Sequence, residues 1–202
     1  MDKAKIRLSP EEAELVVNAD WILTKNHILQ KVRSMLEDLQ SEQQQFLLSN
    51  GSVLPAEVMH TSPKISRGEN YKGLPYLVLD HPRYFGKDDH FAIRSMFWWG
   101  NFFSITLHVS GNNKNDLLKN LTGNVSLLAK NDFYIYTGTK EWEHDIDPGS
   151  YKKLSAINED ELQKIFSANN FLKLAIKFPI DSLEAIEDKL LRNYELLVKC
   201  CC

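Results

Sequence analysis

The alternation of apolar and polar positions sets the first expectations. Ser9-Pro10-Glu11-Glu12 opens a helical pattern. Ser9 suits an N-cap, Pro10 fits the first turn and Glu12 completes a capping box, so a helix is predicted up to about Asn18, where the chain bends. From Asp20 to Leu48 apolar residues return at helical spacing: Trp21, Ile22, Ile28, Leu29, Val32, Met35, Leu36, Leu39, Phe46 and Leu47. The spacing is nearly heptad, but Lys25 and Glu42 interrupt it. That predicts a helix packed on a core, with a dimer seam as the second reading. Asn50-Gly51 ends the helix.

Residues 52–73, with Pro55, Pro63, Gly68 and Gly73, read as loop. Pro75-Tyr76-Leu77-Val78-Leu79 is a continuous apolar run, as expected of a buried strand, and Asp80-His81-Pro82-Arg83 ends it. Phe91 to Trp99 and Phe102 to Ser110 are two β-like runs joined by Gly100-Asn101, a dipeptide suited to a two-residue hairpin turn. That turn would set Phe97 opposite Ser104, Ser95 opposite Thr106, Arg94 opposite Leu107 and Ile93 opposite His108. One face would then be core (Ala92, Arg94, Met96, Trp98, Phe103, Ile105, Leu107, Val109), with Arg94 the anomaly. A slip of one residue would exchange these assignments.

Further on, helix or loop covers Asn115 to Lys130, a strand is expected at Phe133–Thr137, and Glu141 to Gly149 forms an acidic surface loop. Glu159 to Ala168 reads as a short helix. Phe171 to Phe178 alternates, with Leu172, Leu174, Ile176 and Phe178 inward and Lys173 and Lys177 outward, as in a half-exposed antiparallel strand. Asp181 with Glu184 would start a final helix buried through Leu183, Ile186, Leu190, Leu191, Tyr194, Leu197 and Val198. The expected fold is therefore α+β: a mostly antiparallel sheet of about five strands packed against a long N-terminal helix and a C-terminal helix. One domain covers 1–202, with a helical subdomain at 1–50 resting on the sheet-containing part at 51–202.

Composition adds exclusions. The chain has 202 residues, 43% apolar and 25% charged, with net charge −3. That is ordinary for a globular domain and carries no excess of Lys and Arg, so no nucleic-acid partner is expected. No run approaches the roughly 20 apolar residues of a membrane span, and Met1 to Leu8 lacks a secretory pattern. The expected location is the cytoplasm, with no membrane partner. The only cysteines, Cys200, Cys201 and Cys202, cannot form a disulfide framework and read as a frayed, exposed tail.

Known motifs fail. Gly68-Glu69-Asn70-Tyr71-Lys72-Gly73 has the two glycines of a phosphate loop, but Leu74-Pro75 stand where Lys and Ser or Thr are needed. The histidines (27, 60, 81, 90, 108 and 144) show no ligand spacing, so no metal site is predicted and no cofactor is named. Interest falls on Arg67, Glu69, Tyr71, Arg83, Arg94, Trp98 and Trp99, where cationic and aromatic side chains concentrate. Such a set suits a small, anionic ligand. Arg94 needs a partner if buried: Asp80, Glu69 or the ligand itself. The alternative is a hydrolase or lyase with His108 or His81 as base, Asp80 orienting it and an arginine stabilising developing charge. A third reading is a homodimer formed through the long helix or through an aromatic hairpin face of Phe97, Trp99 and Phe102.

Overall fold

A computed structural model describes residues 6–50 and 54–201. The capping box forms as expected. Ser9 Oγ accepts from the Glu12 amide, Glu12 accepts from the Ser9 amide, and α1 runs Pro10–Val17. α2 follows at Ala19–Ser49, capped by Asn18, and its first buried residue is Leu29. Trp21 and Ile22 are therefore surface residues, 53% and 46% exposed, although their spacing marks them for the core. Gly51 and Cys202 lie outside the described residues.

The next elements are α3 (Ala56–Met59), β1 (Lys64–Tyr71), β2 (Leu74–Phe85), β3 (His90–Trp98) and β4 (Phe102–Ser110). The chain continues through α4 (Gly111–Gly123), α5 (Val125–Lys130), β5 (Tyr134–Tyr136) and β6 (Tyr151–Lys153). It ends with α6 (Glu159–Ala168), β7 (Phe171–Pro179) and α7 (Ile186–Cys200). Among the described residues the sheet has seven strands rather than five, in the order β1-β2-β3-β4-β7-β5-β6, and every pairing is antiparallel. The two strands missed by periodicity are β1, an edge strand with little buried surface, and β6, only three residues long. Neither carries an apolar alternation strong enough to read.

The helices pack on one face of the sheet. Leu29, Leu36 and Leu39 of α2 and Leu190, Tyr194 and Leu197 of α7 join Leu77, Leu79, Ile93, Ile105 and Leu107 in the main core. α7 starts at Ile186 and not at Asp181, because Ile180–Ser182 form a 3-10 turn and Ala185 adopts a left-handed φ of 62°. Cys200 and Cys201 close this core at 0% and 2% exposure, so they are not a frayed tail.

The opposite face is covered by the connection between β5 and β6, residues 137–150. Its Ile146 joins Val78, Met96, Trp98, Phe102, Tyr136, Tyr151 and Ala175 in a second, smaller apolar cluster. The acidic loop is thus a cover and not a solvated excursion. Lys173, expected to face water, is 1% exposed beneath it.

The hairpin pairs one residue out of the expected register. Trp98 meets Phe102, Phe97 meets Phe103, Arg94 meets Thr106 and Ala92 meets His108. The turn therefore holds three residues, Trp99-Gly100-Asn101. Gly100 is at φ 71°, and the Asn101 amide donates to the Trp98 carbonyl at 3.1 Å. Phe103, Ile105, Leu107 and Val109 of β4 face the helices as expected, but beside Phe91, Ile93 and Phe97 of β3; Ala92, Arg94, Met96 and Trp98, expected on that core face, lie on the opposite one. Ser104, Thr106 and His108 now share the loop-covered face with Arg94.

Candidate functional site

Two sites stand out, one on each face of the sheet. The polar one lies under the 137–150 loop. Asp80, Arg94, Thr106 and Ala175 form one cross-strand row, and Ala92, His108 and Lys173 the next. Asp80, Thr106, His108 and Lys173 are all buried. Arg94 binds Asp80 bidentately and donates a further hydrogen bond from Nη1 to His144 Nε2 at 3.0 Å. Burial, then the Arg94 charge, lowers the His144 pKa to about 2 and keeps the imidazole a neutral acceptor.

His108 lies one row away. Its Nε2–H donates to Glu141 Oε1 at 3.0 Å, and the same oxygen accepts from His90 Nδ1 at 3.0 Å. Burial and the Lys173 charge push His108 down to about 3. Burial alone would raise Glu141, but the hydrogen bonds from His90 and His108 hold it below the ordinary carboxylate value. Lys173 is brought down to about 7 by burial and then by Arg94, and its ammonium donates to the carbonyls of Glu141 and Glu143. Tyr71 ties the far end of the loop, donating to Glu143 and accepting from the amides of His144 and Asp145 at 2.8 and 2.9 Å.

A cleft of about 240 Å³ opens beside this network, with Tyr71, Asp80, Arg94, Trp142 and His144 among its walls. Every one of its charged groups already has a partner. An imidazole titrating near 3 is a poor proton acceptor at neutral pH, because an efficient general base has its pKa near the working pH. The geometry does give His108 a carboxylate neighbour, but it is Glu141 and not Asp80.

The sequence-derived residues divide among several places. Asp80, Arg94, Tyr71, Trp98 and His108 share the loop-covered face. His81 points the other way and packs on Tyr194, Nδ1 to hydroxyl 3.4 Å. Arg67 and Glu69 pair with each other and reach α2 through Asn26 and Lys25. Arg83 caps the Ser62 carbonyl at 2.8 Å. The three arginines do not converge, and Arg94 has the first of its three expected partners. Glu141, His144, His90 and Lys173 were missed as a set. The alternation of β7 does carry Lys173 on the correct face, but nothing local shows that a loop covers that face.

The second site is apolar. A groove of about 1060 Å³ runs between α2, the β3–β4 hairpin and residues 180–188. Ile28 and Met35 form one wall, Phe97, Trp99 and Phe103 the other, and Lys31, Asp181, Glu187 and Asp188 sit among the lining residues. Burial, together with Glu42, Asp38 and Asp188, raises the Glu187 pKa. Compared with family models, curated proteins and solved structures, the chain matches none of them.

Proposed function

We propose that the chain is a binding protein for a small apolar or amphiphilic molecule, held in the groove beside Trp99. The observation that carries this reading is the groove itself. At about 1060 Å³ it is large enough for a drug-sized or lipid-like ligand. Its walls are aliphatic and aromatic, and Ile28 and Leu183 leave 40% and 57% of their surface open to water at its edge. Exposed apolar surface beside a cavity is a frequent mark of a binding site.

The charged groups select the polar end of the ligand. Asp181, Glu187 and Asp188 outnumber Lys31, so a neutral or cationic head group is favoured over a carboxylate. This replaces the anionic ligand suggested by arginine content, because Arg67, Arg83 and Arg94 are each engaged elsewhere.

The test is a fluorescence titration with Nile red, followed by competition with dodecylamine and with dodecanoate. Saturable binding is expected in the wild type. Affinity should fall tenfold or more in Met35→Glu, with the far-ultraviolet dichroism unchanged, and dodecylamine should displace the dye at lower concentration than dodecanoate. Absence of saturable binding, or equal affinity in Met35→Glu, removes the reading.

A further inference from the structure

The His90–His108–Glu141 cluster on the opposite face is independent of the groove. We infer that these three side chains form a binding site for a transition-metal dication of the zinc type. Their ligating atoms come from three separate segments: the first residue of β3, the far end of β4 and the covering loop. Glu141 Oε1 is 3.0 Å from both His90 Nδ1 and His108 Nε2, and all three atoms lie within 4.8 Å of one another. Zinc bonds of about 2.0–2.1 Å in tetrahedral geometry place neighbouring ligand atoms about 3.3 Å apart. For an ion to bind, each imidazole shifts its proton to the other ring nitrogen, which frees His90 Nδ1 and His108 Nε2 to ligate in place of their hydrogen bonds to Glu141.

The surroundings hold the ligands in place. The His90 amide donates to Ser110 Oγ at 2.8 Å. Trp142 packs against both imidazoles, with ring centroids 5.5 Å from His90 and 5.1 Å from His108. Lys173 pins the Glu141 carbonyl at 3.0 Å and so fixes the backbone that carries the carboxylate. The charge of Arg94 is matched by Asp80 and that of Lys173 is directed at carbonyl oxygens. Fixed ligand orientation of this kind raises metal affinity.

The site is open on one side. The His108 side chain is 3% exposed, but those of His90 and Glu141 are 15% and 27% exposed. Three protein ligands and a solvent-facing fourth position is the arrangement of reactive zinc centres, and not of closed structural ones. Two imidazoles and one carboxylate favour zinc, cobalt or nickel over magnesium or calcium, which prefer all-oxygen shells.

The experiment is calorimetric titration of chelator-stripped protein with Zn²⁺ and, separately, Mg²⁺, with Co²⁺ as a spectroscopic probe. One equivalent of Zn²⁺ should bind, Mg²⁺ should give no comparable heat, and Co²⁺ should develop visible absorption bands of low-symmetry coordination. His90→Gln and Glu141→Gln should each weaken Zn²⁺ binding at least tenfold while leaving the metal-free unfolding midpoint within a few degrees of wild type. Three results overturn the assignment. One is no stoichiometric binding; the cluster is then a hydrogen-bonded strut only. Another is binding that both variants retain. The third is binding that disappears on thiol alkylation but survives His90→Gln, which would place the ion on the C-terminal cysteines.

Discussion

The Arg94 guanidinium and the Asp80 carboxylate meet through two parallel hydrogen bonds, Nε to Oδ1 at 2.7 Å and Nη2 to Oδ2 at 2.9 Å, directly across the β2–β3 ladder. Their side chains are 15% and 9% exposed. Breaking such a pair leaves an unmatched charge in a poorly solvated place, whereas removing both halves does not. Arg94→Met alone should destabilise the protein by about 3 kcal/mol. The double variant Arg94→Met/Asp80→Leu should recover most of that loss. Urea unfolding across the four-protein cycle measures the coupling.

Lys173 holds the cover in place. Lys173→Met would leave the carbonyls of Glu141 and Glu143 without this donor, and the β5–β6 connection would lose its central tether. Limited proteolysis should then cut within 137–150 at least several times faster than in the wild type. Global stability should fall by about 2 kcal/mol, the scale for buried acceptors left unsatisfied. Unchanged proteolysis would show that Tyr71 and Lys177, whose ammonium donates to the Ile146 carbonyl at 2.6 Å, suffice to hold the loop.

His81 should make stability depend on pH. Burial lowers its pKa from 6.5 to about 4 in the folded protein. Between these values the unfolded chain binds the proton and the folded chain does not. The contribution is therefore fully present above pH 6.5 and is lost as pH falls towards 4, to a total of about 3 kcal/mol. Unfolding curves at several pH values should show a shallower acid slope in His81→Leu than in the wild type.

Two glycines with positive φ should respond differently to alanine. Alanine at Gly100 (φ 71°) or at Gly111 (φ 57°) would incur the left-handed penalty of about 1 kcal/mol that glycine, lacking a Cβ, escapes. A Cβ at Gly100 meets nothing within 4 Å, but one at Gly111 comes within 2.0 Å of Asp89 Oδ1 and 2.7 Å of the Asp88 carbonyl oxygen. Thermal unfolding should place Gly111→Ala well below Gly100→Ala. Equal midpoints would mean that the Asp88–Asp89 turn yields at little cost.

Much of the local structure was legible in the residues themselves. Ser9 and Glu12 specify the first cap, the apolar spacing from Leu29 to Leu47 specifies the helix that packs on the sheet, and α6 spans Glu159–Ala168 as its pattern indicates. These are contacts between neighbours three or four residues apart, and side-chain chemistry alone decides them. Among the described residues no helix is long and apolar enough to cross a membrane, in keeping with the absence of a long apolar run.

What the sequence could not decide was register and cover. An alternating strand reads the same whether two or three residues form the turn. Yet the third turn residue, Trp99, turns His108 from a neighbour of Ile93 into a neighbour of Ala92, on the same face as Arg94. The second face of the sheet then depends on a loop some 30 to 50 residues away in the chain. That loop supplies Glu141 to His90 and His108, and His144 to Arg94. The apolar groove likewise needs α2, the hairpin and the segment before α7 at once. Only the closing of these long-range contacts creates either site. The sequence by itself determined the capped helices and five of the seven described strands; tertiary packing decided their register and which side chains meet.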